Sequence, residues 1–240
     1  MNRTAALFKK ELRGYFVSPI GYVFIVFYLL LSNGYFFFVQ DFFRAGQASM
    51  RAYFATTPWT LLFFIPALTM RLWAEEKRTG TQELLLTLPL REGEAVLGKF
   101  LAGLAFLAIT LVFTWTVPFS IGFLGRPDWG VIAASYAGVL LLGASYLAVG
   151  LWISSLTQNQ ITAFVATVAA LFLLLAAGIV PEWLGSQGAL VIVGEYLSLF
   201  SHFQSVIRGV LDSRDVVYYL SIVILFLWLN TRHLESRTWR

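Results

Sequence analysis

Gly93-Glu-Ala-Val-Leu-Gly98-Lys99 has the spacing of a phosphate-cradling loop, two glycines separated by four residues and followed by lysine. The next residue is Phe100, where magnesium binding calls for Ser or Thr, no strand pattern precedes it, and an apolar run follows directly. The heptapeptide is therefore not expected to hold nucleotide, and the chain is not expected to hydrolyse ATP alone. Other chemistries fare no better. The absence of cysteine excludes disulfides, a thiolate nucleophile and thiolate metal sites. The two histidines, His202 and His233, have no neighbouring ligands for zinc or acid–base work, and His202 reads as an ordinary loop residue. No Gly-x-Ser-x-Gly sequence offers a serine nucleophile. No catalytic residue, metal site or cofactor is assigned to this chain.

What positions these residues is a lipid-facing framework. Hydrophobic residues make up 58% of the chain and charged residues 12%, with a mean hydropathy of +0.74, well outside the mix of soluble domains. A helix needs about 20 apolar residues to cross a roughly 30 Å hydrocarbon core. Six stretches free of Asp, Glu, Lys, Arg and His answer that requirement: 17–39, 52–70, 100–124, 131–154, 161–180 and 216–230. The last is short and must borrow length from its flanks. The expectation is an all-α polytopic membrane protein with six transmembrane helices, one domain over 1–240. A proton-coupled transporter or intramembrane metalloenzyme needs ionisable groups at membrane depth, and none lies in these six runs.

Basic residues are retained on the cytoplasmic side. Arg3, Lys9, Lys10, Arg13, Arg71, Lys77, Arg78, Arg91, Lys99, Arg232, Arg237 and Arg240 fall on one side of the six-span arrangement; Arg44, Arg51, Arg126, Arg208 and Arg214 fall on the other. Both termini are thus expected in the cytoplasm. The stretch 181–215 becomes an outer re-entrant loop with one or two half-immersed helices. A net charge of +4 clustered beside span ends points to the lipid bilayer and not to nucleic acid. In the N-terminal segment Phe8, Leu12 and Tyr15 share a helical face with Ala5 and Phe16 beside them, while Lys9, Lys10 and Arg13 lie opposite. That pattern predicts an amphipathic surface helix that bends into the first span at Ser18-Pro19.

Small residues four apart, Ala134 and Gly138, Ala144 and Ala148, Gly98 and Ala102, suit close helix packing within the chain. Trp59, Trp73, Trp129 and Trp183 suit an interfacial belt.

The segment AEEKRTGTQELLLTLP, 74–89, lies between the second and third spans. Thr79 with Gln82 could form a capping box, or Thr81 could cap instead, with Glu83 in the first turn. Pro89 stops the helix after about two turns, a length that is marginal alone. Leu84, Leu85 and Leu88 share one face and Leu86 points away. Apolar groups on two sides of a short helix in water suit one sandwiched between the membrane domain and a partner. A helix plugging the end of the bundle stays open as the other reading.

KELRGYFVSPIGYVF at 10–24, PALTMRLWAEEKRTGTQELLLTLPL at 66–90 and HFQSVIRGVLDSRDVVYYLSI at 202–222 resemble the permease subunits of type-2 ABC exporters, especially the gliding-motility subfamily. The acidic pair Glu75-Glu76, Gly80-Thr81 and Glu83-Leu84-Leu85 carry the most specific part of the likeness. The resemblance implies a connecting helix at 1–16 and a cytoplasmic coupling loop at 71–99. Its coupling helix, 81–88, would dock in a groove of a separate ATPase, which would bind ATP and magnesium. Glu75 and Glu76 are then expected to meet basic groups at a solvated rim, with Thr79, Gly80, Thr81, Glu83, Leu84, Leu85, Leu88 and Pro89 forming the coupling site. The short second cytoplasmic loop, 155–160, would make a lesser contact. It further implies a second or homologous permease copy, a companion membrane protein with a large extracytoplasmic domain, and a prokaryotic inner membrane. Two function classes remain: ATP-driven export of a substrate, and a scaffold passing force to an outer partner without solute flux.

Overall fold

The computed structural model describes residues 3–40, 42, 49–81, 91–178, 189–210 and 212–238. Among these, every regular element is helical. They are α1 (Arg3–Val17), α2 (Pro19–Gly34) continued by a π-turn (Tyr35–Val39), α3 (Arg51–Thr69), α4 (Ala74–Arg78), α5 (Glu92–Phe113), α6 (Thr116–Leu124), α7 (Trp129–Leu156), α8 (Gln160–Ala176), α9 (Ala189–Leu197), α10 (Leu199–Ile207) and α11 (Ser213–Thr238). Five stretches are long and apolar enough to cross a membrane: Pro19–Val39, Arg51–Arg78, Glu92–Leu124, Trp129–Leu156 and Ser213–Ser236. The sixth expected span, α8, is apolar but has 17 residues. The last span gains its length by starting at Ser213 and running on to Thr238.

The bend between α1 and α2 falls at the predicted residues. Ser18 caps α2 with its hydroxyl accepting from the Ile20 amide at 3.3 Å, and Pro19 opens the helix, where a missing N–H costs nothing. Gly21 lets α2 fold close to α1, since a Cβ there would come 2.1 Å from the Tyr15 carbonyl oxygen. Between α5 and α6 the chain turns at Thr114, whose hydroxyl donates to the Leu111 carbonyl and pairs with Tyr136 of α7.

The long helix α7 forms the axis and packs against α3, α5, α8, α10 and α11. The small residues of α5 and α7 pack inside the chain. Ala102 and Ala148 are fully buried, Gly98 lies against Leu7, and Gly138 is so close to Val206 of α10 that a Cβ would clash. Such close approach stands in for the hydrophobic effect that lipid withholds. By contrast α2 and α11 leave most of their apolar side chains on the outside.

The two ends of the bundle differ. One gathers α1, α4, the start of α5 and the junction of α7 with α8; the other gathers Arg51, Arg126 and Asp128 around a crevice of about 330 Å³. There the stretch expected to hold one or two half-immersed helices carries α9 and α10, nine residues each. They meet at Ser198, whose hydroxyl accepts from Ser201 N and donates to the Leu175 carbonyl. At about 14 Å apiece neither crosses a bilayer.

Candidate functional site

At the α1 end the chain builds a buried ionic junction. Lys99, one turn and more into α5, is 1% exposed. Its Nζ donates to Glu76 Oε1 of α4 at 2.7 Å and to Glu11 Oε1 of α1 at 3.2 Å, and lies 4.9 Å from the centre of the Trp73 ring. A buried ammonium is tolerable only when paired and hydrogen-bonded. Two carboxylates and an indole face supply that here. Three segments far apart in sequence thus share one cation.

In sequence Lys99 reads as a solvent-side base just before the third apolar run; the helix Glu92–Phe113 instead carries it into the packed interior. Trp73, expected in an interfacial belt, is 0% exposed, because the loop after α3 folds back over the bundle and not outward to headgroups. That return is held by Ser154 of α7, whose hydroxyl accepts from the Trp73 and Ala74 amides and donates to the Met70 carbonyl. Lys77 then donates to the Ser155 carbonyl. The two segments predicted to face the cytoplasm, 71–99 and 155–160, are therefore bonded to each other.

α1 lies against α5 along its length. Tyr15 stacks on Phe106 with ring centres 4.7 Å apart, and Leu7 is buried against Gly98. Phe8 and Leu12 are half-buried, while Lys9, Lys10 and Arg13 are exposed. The packed face is turned toward Leu7 and Glu11, because Glu11 must reach Lys99. Burial, with the Glu11 charge second, pushes the Tyr15 hydroxyl well above the ordinary tyrosine range.

Glu75 and Glu76, adjacent in sequence, have different surroundings. Glu75 is 40% exposed and pairs loosely with Arg71 at 3.7 Å; Glu76 points inward to Lys99. Thr79 bonds back to the Glu75 and Glu76 carbonyls and to the Thr81 hydroxyl, and so finishes α4; Gln82, its expected capping-box partner, lies outside the described residues. Gly80 takes φ +72°, the left-handed turn that ends helices and favours glycine. Thr81 is helical. Glu83, Leu84, Leu85, Leu88 and Pro89 lie outside the described residues. A crevice of about 330 Å³ opens between α1 and α4, lined by Lys10, Glu11, Arg71, Glu75, Glu76 and Lys99 among others.

The ionic junction was missed because Glu11 and Glu76 lie 88 and 23 residues from Lys99 in sequence, each with a sufficient local explanation as a charge flanking a span. A lysine between Gly98 and Phe100, at the mouth of an apolar run, is the one clue that the sequence held.

The family model for ABC-2 family transporter proteins matches residues 5–229, nearly the whole chain and every part of this junction. No curated protein is a match for it.

Proposed function

The chain belongs to the ABC-2 transporter family, a multi-pass permease subunit of an ABC transporter, and from that premise we propose how it is driven. A separate ATPase docks on the segment 81–88, and its closure moves that segment against the bundle. Both termini and this docking surface face the cytoplasm. A second permease copy completes the path, and the gliding-motility subfamily is the one that the chain's motifs resemble.

One observation carries this reading. The chain leading into 81–88 is joined through Glu76 and Lys99 to α5, through the same lysine to Glu11 of α1, and through Lys77 to the end of α7. A push on the docking segment therefore reaches three long helices through short bonds and not through a slack loop. Packed elements with two discrete arrangements carry such coupling over distance. A plug needs no such linkage. The wall between α2, α3 and Phe164 offers a groove of about 570 Å³ lined by Phe24, Tyr28, Trp59, Thr60 and Phe64, with no charge, in keeping with an apolar or lipid-linked cargo.

The test compares ATPase copurified per folded permease for Leu85→Asp and for Ser213→Asp at the opposite end. A carboxylate in an apolar groove loses hydration without a partner, so Leu85→Asp is expected to lose the ATPase and Ser213→Asp to keep it. Equal recovery with full transport would return 81–88 to a plug. Flux in reconstituted vesicles separates export from a scaffold: ATPase activity and recovery without any flux would favour force transmission alone.

A further inference from the structure

At the end of the bundle away from Lys99, His202 of α10 sits between two oxygen acceptors. Its Nδ1 is 2.7 Å from Asp215 Oδ1 of α11, and its Nε2 is 3.4 Å from the Tyr196 carbonyl oxygen of α9. The imidazole lies flat on the Tyr218 ring, with centres 3.9 Å apart and planes 20° apart. Asp215 is 7% exposed and takes a second hydrogen bond from the Ser205 hydroxyl. The expectation that His202 is an unpartnered loop residue is overturned: α10 and α11 are antiparallel neighbours across the turn at Gly209, where φ is +85°, and that brings residues 13 apart together.

A neutral imidazole has one N–H and one lone pair. Whichever nitrogen keeps the proton, the other then presents a lone pair to an oxygen that can only accept. Imidazolium donates at both positions, pairs with the carboxylate, and places a cation on a tyrosine face. Asp215 lies in the first turn of α11, where the helix end favours negative charge.

We propose that His202, Asp215 and the Tyr196 carbonyl form a proton-dependent latch that holds the α9–α10 pair against α11 when His202 is protonated and slackens it when the proton leaves. Two other bonds make the pH-independent part: Tyr218 Oη donates to the Leu197 carbonyl at 2.7 Å, and Tyr219 Oη to the Leu199 carbonyl at 2.9 Å. Loss of the proton therefore loosens the pair without releasing it. Among the described residues, the ionisable groups around the imidazole are few. α11 presents Asp215, Tyr218 and, edge-on at 6.5 Å, Tyr219; α9 presents its backbone, with Glu195 exposed. From α7, Tyr146 has Tyr218 and Tyr219 as its electrostatic neighbours. α8 has no ionisable side chain, and α3 has Arg51 and Tyr53, neither of them among the hydrogen-bond or ring partners of His202 within the described residues. Arg208 and Asp212 on the connecting turn and Arg214 at the start of α11 are exposed. A bonded state that requires imidazolium is full at acid pH and is lost as pH rises through the histidine titration. The latch reads the compartment that bathes this end of the protein.

The experiment is amide hydrogen exchange on the full chain in nanodiscs, both faces open to buffer, between about pH 5.5 and pH 8 where histidine titrates. Rates are corrected for intrinsic exchange, and residues 142–151 of α7 serve as the internal reference. Protection of 199–207 relative to that reference is expected to fall roughly tenfold over the range, the scale of one charge-assisted hydrogen bond. His202→Gln is expected to be flat with pH, and His233→Gln to behave like the parent chain. A flat profile in the parent chain overturns the latch whether or not any variant folds. So does a fall that persists in His202→Gln.

Discussion

Lys99 Nζ stands 2.7 Å from Glu76 Oε1, while Glu75, the preceding residue, reaches only Arg71 at 3.7 Å on the surface. The pair expected to act alike at a solvated rim is divided by burial. Glu75→Gln removes an exposed ion pair worth about 0–1 kcal/mol. Glu76→Gln removes half the charge compensation of a lysine that is 1% exposed, and breaking a buried pair costs about 3–5 kcal/mol before relaxation. Thermal unfolding in nanodiscs, followed by tryptophan fluorescence, is expected to leave Glu75→Gln near the parent chain and to lower the midpoint of Glu76→Gln clearly. Similar midpoints would mean that water reaches the Lys99 pair.

Lys99 itself gives a second prediction. Lys99→Met leaves Glu11 and Glu76 facing each other without a cation, so like charges meet in a poorly hydrated site. The single variant is expected to fold poorly, and Lys99→Met combined with Glu11→Gln and Glu76→Gln to recover most of the lost midpoint. The recovered triple variant is the informative one. If the junction transmits motion, it binds the ATPase normally and hydrolyses ATP with reduced transport per ATP. Undiminished transport per ATP in the triple variant would reduce the junction to a structural tie.

How far the sequence reaches is clear from these residues. The apolar runs, the Ser18-Pro19 bend and the packing of Gly98 and Gly138 were legible because each rests on neighbours in sequence, and lipid leaves few ways to satisfy a backbone. The basic face of α1 was legible for the same reason. Glu11, Glu76 and Lys99 were not, because a charge beside a span has a ready meaning as a topology signal, and only tertiary folding decides whether it faces water or a partner. Trp73 and His202 misled likewise: an aromatic near a span end and a histidine between spans look exposed until a loop folds back or two helices lie side by side.

Tyr15 gives a prediction in the opposite direction. Its hydroxyl is buried without a hydrogen-bond partner among the described residues, while its ring stacks on Phe106. Tyr15→Phe keeps the stack and removes a desolvated polar atom, so stability near neutral pH is expected to hold or rise by up to about 1 kcal/mol. The pH dependence has a definite sign. The folded hydroxyl titrates above the ordinary value near 10, so both states are neutral below that pH and the unfolded chain ionises first above it. Stability is therefore lost as pH rises beyond about 10, and Tyr15→Phe is expected to show a shallower alkaline loss. An unchanged alkaline slope would place Tyr15 in contact with water.

Gly80 offers the sharpest local test, because its environment is open and only its backbone is special. Among the described residues nothing lies within 4 Å of a Cβ built there, and φ is +72°. Gly80→Ala thus adds no clash and incurs only the left-handed penalty of about 1–2 kcal/mol. Gly80→Pro cannot adopt the angle at all, since its ring holds φ near −65°, so the turn between α4 and Thr81 must rearrange. Both variants keep Glu76 on Lys99, upstream of the change, and both are expected to fold with a midpoint close to the parent chain. What differs is the direction in which 81–88 leaves the bundle. Gly80→Ala is expected to keep the ATPase and most transport, whereas Gly80→Pro is expected to lose transport per ATP even where the ATPase still copurifies. Gly80→Asn, which tolerates the left-handed turn better than alanine, is expected to fall nearest the parent chain. Transport that survives Gly80→Pro unchanged would show that the segment after the turn bears no load, and the proposal of force entering at 81–88 would fall with it.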